Sequence, residues 1–363
     1  MAVKFTKPEI NVREKLAELD KPSGIAGEAM LRAETVAEQQ ALIGVGRRNL
    51  LINGGFDVWQ RGTSATHSTT SGYGKYIAAD RWSVYYTGTK LEAKEYTINN
   101  EFKHAMRITS TTGNTVYAYQ TIEGGSTLSN QTLTYSYWAR ANRVAVISGN
   151  NTWRYGGVNS DTPVYNVAGP ASLNSHHVDT EWRKITHTVT LINDSSGPSF
   201  GRHLFFLLSL DDPATNDWLE VAEVQLELGK VATPFEHRSY GEELALCQRY
   251  CYVIGHPSQV IYLGTGSMYT TTAVNLSVPL PVQLRHNSPS FTRVPNSTGN
   301  WLNVYVGAAG TLSNAAPLQG DYSQSNVRIY IPGAHSGSSP SAVGAGVWSM
   351  VLAGAQLIIN AEL

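Results

Sequence analysis

The sequence predicts a mainly β protein: a helical N-terminal segment, a central jelly-roll β-sandwich, a short helix and a C-terminal β-sandwich. Three observations carry this. Short runs with period-two alternation, rich in β-branched and aromatic residues, recur from residue 82 onward with turn clusters between them. No helical spacers separate these runs, as a parallel α/β sheet would require. The good helix formers and charges concentrate instead at the start, where residues 1–48 hold 15 of the 55 charged residues.

In the N-terminal segment, residues 1–48, Asn11 caps a predicted short helix, Val12–Leu19, closed by Pro22 and Gly24. A second helical run, Glu28–Leu42, sets Met30, Ala33, Ala37, Ala41 and Leu42 near one stripe. So thin an apolar stripe leaves the helix marginal alone, so packing against copies of itself or a docking partner is expected.

The predicted jelly roll spans 49–236. Its strands begin at Trp82, Ala105, Val116, Leu133, Trp182, His203 and Trp218, and turns fall at Gly113-Asn114 and Gly124-Gly125. Residues 237–253 form a predicted linking helix, Glu242–Tyr252, opened by Gly241. The predicted C-terminal sandwich, 254–363, has strands at 259–263, 271–278, 290–294, 301–306, 327–331 and 347–359. It carries only five charges, Arg285, Arg293, Asp321, Arg328 and Glu362, and no lysine. A free-standing domain displays more, so much of this surface is expected to be covered by sister chains.

Composition excludes several functions. A net charge of -1 leaves no basic footprint for nucleic acid. No apolar stretch reaches the roughly 18–20 residues of a membrane span, and Met1 to Leu19 has no apolar signal core. Cys247 and Cys251 stand four apart without companion ligands, which reads as two buried thiols rather than part of a zinc site. No cofactor is called for: the glycine-rich phosphate loop, the nucleophile elbow and the metalloprotease helix motif are all missing.

Four acids, Asp211, Asp212, Asp217 and Glu220, form the densest carboxylate cluster. Paired carboxylates can hydrolyse glycosides, but Asp211-Asp212-Pro213 reads as a turn between strands. His176-His177, in a Ser/Asn-rich stretch, reads as a solvated loop. Aromatic rings offer apolar faces on which sugars stack. Trp153, Arg154 and Tyr155 in a Gly/Asn-rich segment, and Trp301, Tyr305 and Tyr322 near polar loops, are the candidate ligand contacts. Trp59, Trp82, Trp138 and Trp182 lie in strand-like runs and read as core.

Two segments are more specific. One runs from Arg47-Arg48-Asn49 through Asn53-Gly54-Gly55-Phe56 and Trp59 to Gly62, followed by Ala79-Asp80-Arg81-Trp82. The other runs from Glu223 through Pro234-Phe235-Glu236 into Tyr240–Tyr250. Both resemble segments bracketing a jelly-roll module in phage tail-fibre and related virion proteins. Asn49–Phe56 also resembles the first strand of carbohydrate-binding modules, some of which hold a structural calcium that Asp57 would match. Asn53-Gly54-Gly55 is read as a turn or bulge bringing Phe56, Val58 and Trp59 into the core, and Asp80 as a partner for Arg81. The resemblance implies a homotrimer in the virion, made in the bacterial host cytoplasm and attached to other tail proteins through its N-terminus.

The leading expectation is a non-enzymatic phage tail fibre recognising host cell-surface polysaccharide. The alternatives are a purely structural particle protein (adaptor, collar or capsid appendage) and, third, a depolymerase.

Overall fold

A computed structural model describes residues 48–67, 76–84, 88–95, 103–128, 131–147, 153–156, 163–166, 176–190, 203–210, 212–285, 289–306, 309–313, 315, 317, 322–323, 326–334 and 346–362. The predicted helices Val12–Leu19 and Glu28–Leu42 lie outside these. Along the chain come β1 (Ser64–Thr66), β2 (Ser83–Val84), β3 (Thr89–Glu95), β4 (His104–Ser110), β5 (Val116–Glu123), β6 (Thr132–Ala141), β7 (Ala145–Ile147), β8 (Trp153–Gly156), β9 (Pro163–Asn166), β10 (His176–Val178), β11 (Arg183–Thr190), β12 (His203–Leu210) and β13 (Trp218–Leu228). Helix α1 (Tyr240–Gln248) follows. After it come β14 (Cys251–Gly255), β15 (Ile261–Met268), β16 (Val274–Pro279), β17 (Ser290–Val294), β18 (Leu302–Val306), β19 (Ala309–Ser313), β20 (Tyr322–Ser323), β21 (Asn326–Ile331), β22 (Gly346–Val351) and β23 (Gln356–Asn360).

In the first sandwich, one sheet has the order β1-β3-β4-β13-β6-β11 and the other β2-β5-β12-β8-β9. The chain alternates between them: β1, β3, β4, β6, β11 and β13 belong to the first, β2, β5, β8, β9 and β12 to the second. That interleaving of two antiparallel sheets follows the jelly-roll pattern. Leu91, Met106, Ile108, Leu133, Tyr137, Leu208 and Val221 fill the space between the sheets, with Trp82 and Phe56. The second sandwich packs β14-β23-β17 against a seven-stranded sheet, β19-β18-β22-β15-β16-β21-β20. Its core holds Trp301, Leu276, Val304, Ile329, Val351 and Ile359.

Three expectations are corrected here. Asn49–Phe56 is not a regular strand. Positive φ at Asn53 (57°) and Phe56 (58°) breaks the ladder, and side chains take over its hydrogen bonds. Asn49 Nδ2 donates to Val224 O (3.0 Å), while Asn49 Oδ1 accepts from Leu226 N (3.0 Å). Gln120 exchanges two bonds with the Ile52 backbone, each 2.7 Å. The predicted 347–359 strand is two, β22 and β23, turned at Gly354, whose φ is 76°. The linking helix starts earlier, because Ser239 caps it in a capping box with Glu242. It also ends earlier, because Cys251 leaves it to pair with Asn360.

The Asn-Gly-Gly reading holds. Gly54 lies against β13 where its register shifts between Ala222 and Gln225, and Val224 N donates to Gly54 O (2.9 Å). Phe56 is buried in the sandwich core with Trp59 half-buried against it, whereas Val58 is buried instead among Ile52, Cys247 and Tyr250 at the linking helix. A Cβ on Gly54 would meet Val224 O at 2.1 Å, backbone that cannot swing aside. Gly54→Ala is therefore expected to destabilise the chain by roughly 2 kcal/mol or more, read as a lowered urea midpoint; an unchanged midpoint would show that the segment does not need this close approach.

Candidate functional site

The seven-stranded sheet turns Val304, Val347, Leu276 and Val327 inward to the core. Its alternate residues form the outer face. Register lines these up in rows across the strands. One row reads Tyr305, Trp348, Thr265, Ser277, Arg328, each paired with the next. A second reads Gly346, Ser267, Asn275, Tyr330. A third reads Leu312, Asn303, Met350, Tyr262.

Two aromatic groups stand on this face. Tyr305 and Trp348 stack with centroids 3.9 Å apart and planes 3° from parallel. Asn303 Nδ2 donates to Tyr305 Oη (2.8 Å), holding the ring upright. At the other side Tyr269 meets Tyr330 edge to face at 5.4 Å. Trp348 is 37% exposed, Tyr262 56%, Tyr269 57% and Leu312 56%. Between the groups runs a lane of Thr265, Ser267, Asn275 and Ser277. Among the described residues of this face, Arg328 is the one formal charge. Flat rings beside small groups that both donate and accept can hold a hydroxylated ligand by stacking and hydrogen bonding.

The six sequence candidates fare differently. Tyr305 belongs to this face. Trp301 is corrected: it is 0% exposed, and its indole N–H donates to Ala315 O (2.9 Å), so it is a core residue. Tyr322 opens β20 opposite Val327. Trp153, Arg154 and Tyr155 lie in β8, between β12 and β9. The side chains of Tyr322 and of these three are outside the described residues. Trp348, Tyr262, Tyr269 and Tyr330 were not foreseen. Trp348 and Tyr262 each alternate with buried neighbours in a strand run, and that parity is the signal that could have singled them out.

Other sequence readings resolve as structure. His176-His177 is corrected from loop to strand, with His177 opposite Val146. Asp217 accepts from Arg143 Nε (2.5 Å) and Asn142 Nδ2 (2.9 Å). Glu220, fully buried, accepts from Arg107 Nε (2.8 Å) and Arg140 Nε (2.7 Å), and both guanidiniums lie near Trp218. Trp82 is core, whereas Trp138 and Trp182 are only half-buried, packed on Ala105 and Ala222. Asp57 contacts His104 Nδ1, and no group of three or more metal-ligating side chains occurs among the described residues. Both cysteines are buried free thiols, and burial pushes Cys251 up to about 12.

A buried joint holds the second sandwich to the first. Asp80 and Arg81 do not pair with each other, a correction that follows from Arg81's positive φ of 69°. Asp80 faces Arg61 at 3.5 Å, and Arg61 and Arg81 both reach Glu362. Arg81 also donates to Thr121 O (2.7 Å) and lies 3.5 Å over the Tyr250 ring. Gln60 Nε2 donates to Cys251 O (2.9 Å) on β14. Glu123 meets Arg249 and Arg285 at 3.3 and 3.1 Å. Burial works to raise its pKa, but the Tyr250 hydroxyl and these two arginines outweigh that and hold it below the usual carboxylate range.

No protein-family model matches the chain, and no curated protein matches it. Several solved structures are similar at low identity. The N-terminal tandem CBM22-1-CBM22-2 domain of Paenibacillus barcinonensis Xyn10C matches at 12% identity and a TM-score of 0.28, over 82% of this chain and 98% of that one. The family 11 carbohydrate-binding module of a Clostridium thermocellum cellulosomal cellulase matches at 12% and 0.27, over 46% and 100%. The enzymatically active domain of tailspike protein 4 from bacteriophage CBA120 matches at 10% and 0.30, over 50% of this chain and 21% of that one. These likenesses are distant, and the jelly-roll assignment stands on the strand order itself.

Burial, opposed by Arg61, raises Asp80 from 3.8 to about 6. A carboxyl that holds its proton more tightly when folded stabilises the fold fully below its unfolded value, and that contribution fades as pH rises through about 6. Stability is therefore expected to fall by up to about 3 kcal/mol from this group between pH 4 and pH 8. Asp80→Asn should flatten that part of the urea-measured profile; an identical pH slope in the variant would show that Asp80 is not its source.

Proposed function

We propose that this chain is a virion appendage of the phage tail-fibre type that recognises host cell-surface polysaccharide without cleaving it. The observation that carries the reading is the outer face of the C-terminal seven-stranded sheet, where stacked Tyr305 and Trp348 stand among hydroxyl and amide side chains with almost no charge. The resemblance of the two bracketing segments to those of tail-fibre proteins supports placement in the virion, with residues 1–48 attaching to other tail proteins. Absence of catalysis is part of the proposal: Asp217 and Glu220 are committed to arginines rather than opposed across an open cleft.

Truncating an aromatic anchor at the centre of a contact costs roughly tenfold or more in affinity. Trp348→Ala is expected to lose adsorption of the purified protein to host cells by that factor, and with it the ability to block phage adsorption. Because the ring is partly exposed, its melting temperature should move little. Full adsorption by the variant would remove this face from recognition.

A second reading, a purely structural particle protein, is favoured by the five charges in 254–363, which suit burial against sister chains. Both readings expect a homotrimer, and light scattering on the full chain should return three times the monomer mass. A stable monomer would sink the trimer and weaken the fibre placement.

A further inference from the structure

The proposed recognition face is ordered along its strands as well as across them. β15 runs through its middle, hydrogen-bonded to β22 on one side and β16 on the other. Its outward residues are, in turn, Tyr262, Thr265, Ser267 and, just past its end, Tyr269. The bulge between Tyr262 and Gly264 keeps all of them in one outward phase. Trp348 stands opposite Thr265 on the β22 side. Ser277 and Asn275 line the β16 side, opposite Thr265 and Ser267. The result is a polar lane along β15 with an exposed tyrosine at each end. At the usual rise per residue these ends lie roughly 20 Å apart.

The stacking of Tyr305 on Trp348 gives the lane its direction. Carbon atoms of two rings settle no closer than about 3.5 Å. Centroids 3.9 Å apart and planes 3° from parallel therefore leave little sideways offset. The two residues are partners on adjacent strands. Their ring normals thus point across the strands, and their ring planes lie along them. A sugar stacked on either ring takes the same plane, and a chain continuing from it runs along the strands. Each ring has one face left. That of Tyr305 looks toward β19, where the outward residues beside it are Gly310 and Leu312. That of Trp348 looks toward Thr265, with Ser267, Asn275 and Ser277 around it. The Trp348 side joins an apolar face to hydroxyl and amide groups, and a sugar uses both.

Two further features fit a chain in this lane. Gly346 sits opposite Ser267, and a Cβ there would meet nothing within 4 Å among the described residues. The β15 backbone is hydrogen-bonded on both sides, so an extended peptide cannot add to it as a strand. We infer that the ligand is a linear glycan lying along β15, with one sugar stacked on Trp348 over Thr265 and its neighbours reaching Tyr262 and Tyr269. Tyr305 is then a positioning residue: it backs the indole and is itself held by Asn303. This rests on the recognition reading given above, and it adds the shape of the glycan, its direction and the separate roles of the two stacked rings.

The test uses the full chain and oligosaccharides of graded length cut from host surface polysaccharide. Affinity is expected to climb with length and level off once the chain spans the lane. Tyr262→Ala and Tyr269→Ala should each weaken the long oligosaccharides several-fold and leave the shortest that bind unaffected. Gly346→Phe places a ring in the lane and should cost roughly tenfold or more in affinity. Tyr305→Ala should weaken binding at every length, and Tyr305→Phe, which keeps the stacked ring, should restore it. Melting temperatures identify any variant that unfolds, and the two exposed end tyrosines decide the matter if Gly346→Phe does. Wild-type affinity in a folded Gly346→Phe protein, or in both end variants at every length, overturns the inference. So does a Tyr305→Phe protein as weak as Tyr305→Ala, for the role of that ring. In each case the recognition reading stands if Trp348→Ala has lost binding. If Trp348→Ala binds as wild type does, or the wild type binds no glycan, the recognition reading itself fails.

Discussion

The guanidinium of Arg81 is the contact on which the relation of the two sandwiches depends. It leaves the first sandwich at a positive φ, which costs about 1–3 kcal/mol for a side chain of this size. It then sits 1% exposed, where an unpaired charge would be far more costly. Three groups compensate it from three directions: the Thr121 carbonyl within its own sandwich, the Tyr250 ring after the linking helix, and the Glu362 carboxylate of the second sandwich. An arrangement that lost these partners would leave the charge buried and unpaired, so the charge favours an arrangement of the two sandwiches that supplies them. The apolar contacts alongside it, Ile52 and Val58 on Cys247 and Tyr250, are non-directional and select much less.

That joint absorbs the polar side chains of the most specific segments of the sequence. Asn53 spends its side chain on Val58 and the Asp80 carbonyl, and its backbone N–H on Glu243 of the helix. Gln60 reaches β14, and Glu236 accepts from Asn49 N (2.6 Å). The first segment and the second are two halves of one clasp. The proposed recognition falls to a surface whose residues are ordinary one by one and become a row only through strand register.

Much of the β pattern was legible. His203–Leu210 and Ser290–Val294 emerge with their predicted limits, because period-two alternation bounded by turn residues is a local signal. Short edge strands such as β1, β9 and β20 escaped, since two to four residues leave no period to count. Trp301 and Tyr305 show the limit most clearly. They are four residues apart beside the same polar loops, yet one is sealed in the core and the other stands on the outer face. Trp301 precedes β18 and folds under it, and Tyr305 takes the outward phase of the strand.

By itself, then, the sequence determined what depends on neighbours along the chain: a mainly β protein, its turns, a linking helix, buried thiols and a C-terminal region poor in charge. The tertiary structure decided which residues meet. Whether Asp80 faces Arg81 or Arg61, whether a tryptophan fills a core or displays its face, and whether Tyr305, Trp348 and Arg328 form one row depend on φ signs and strand register. Those are settled by contacts between segments far apart in the chain, where a one-residue slip reverses every side chain.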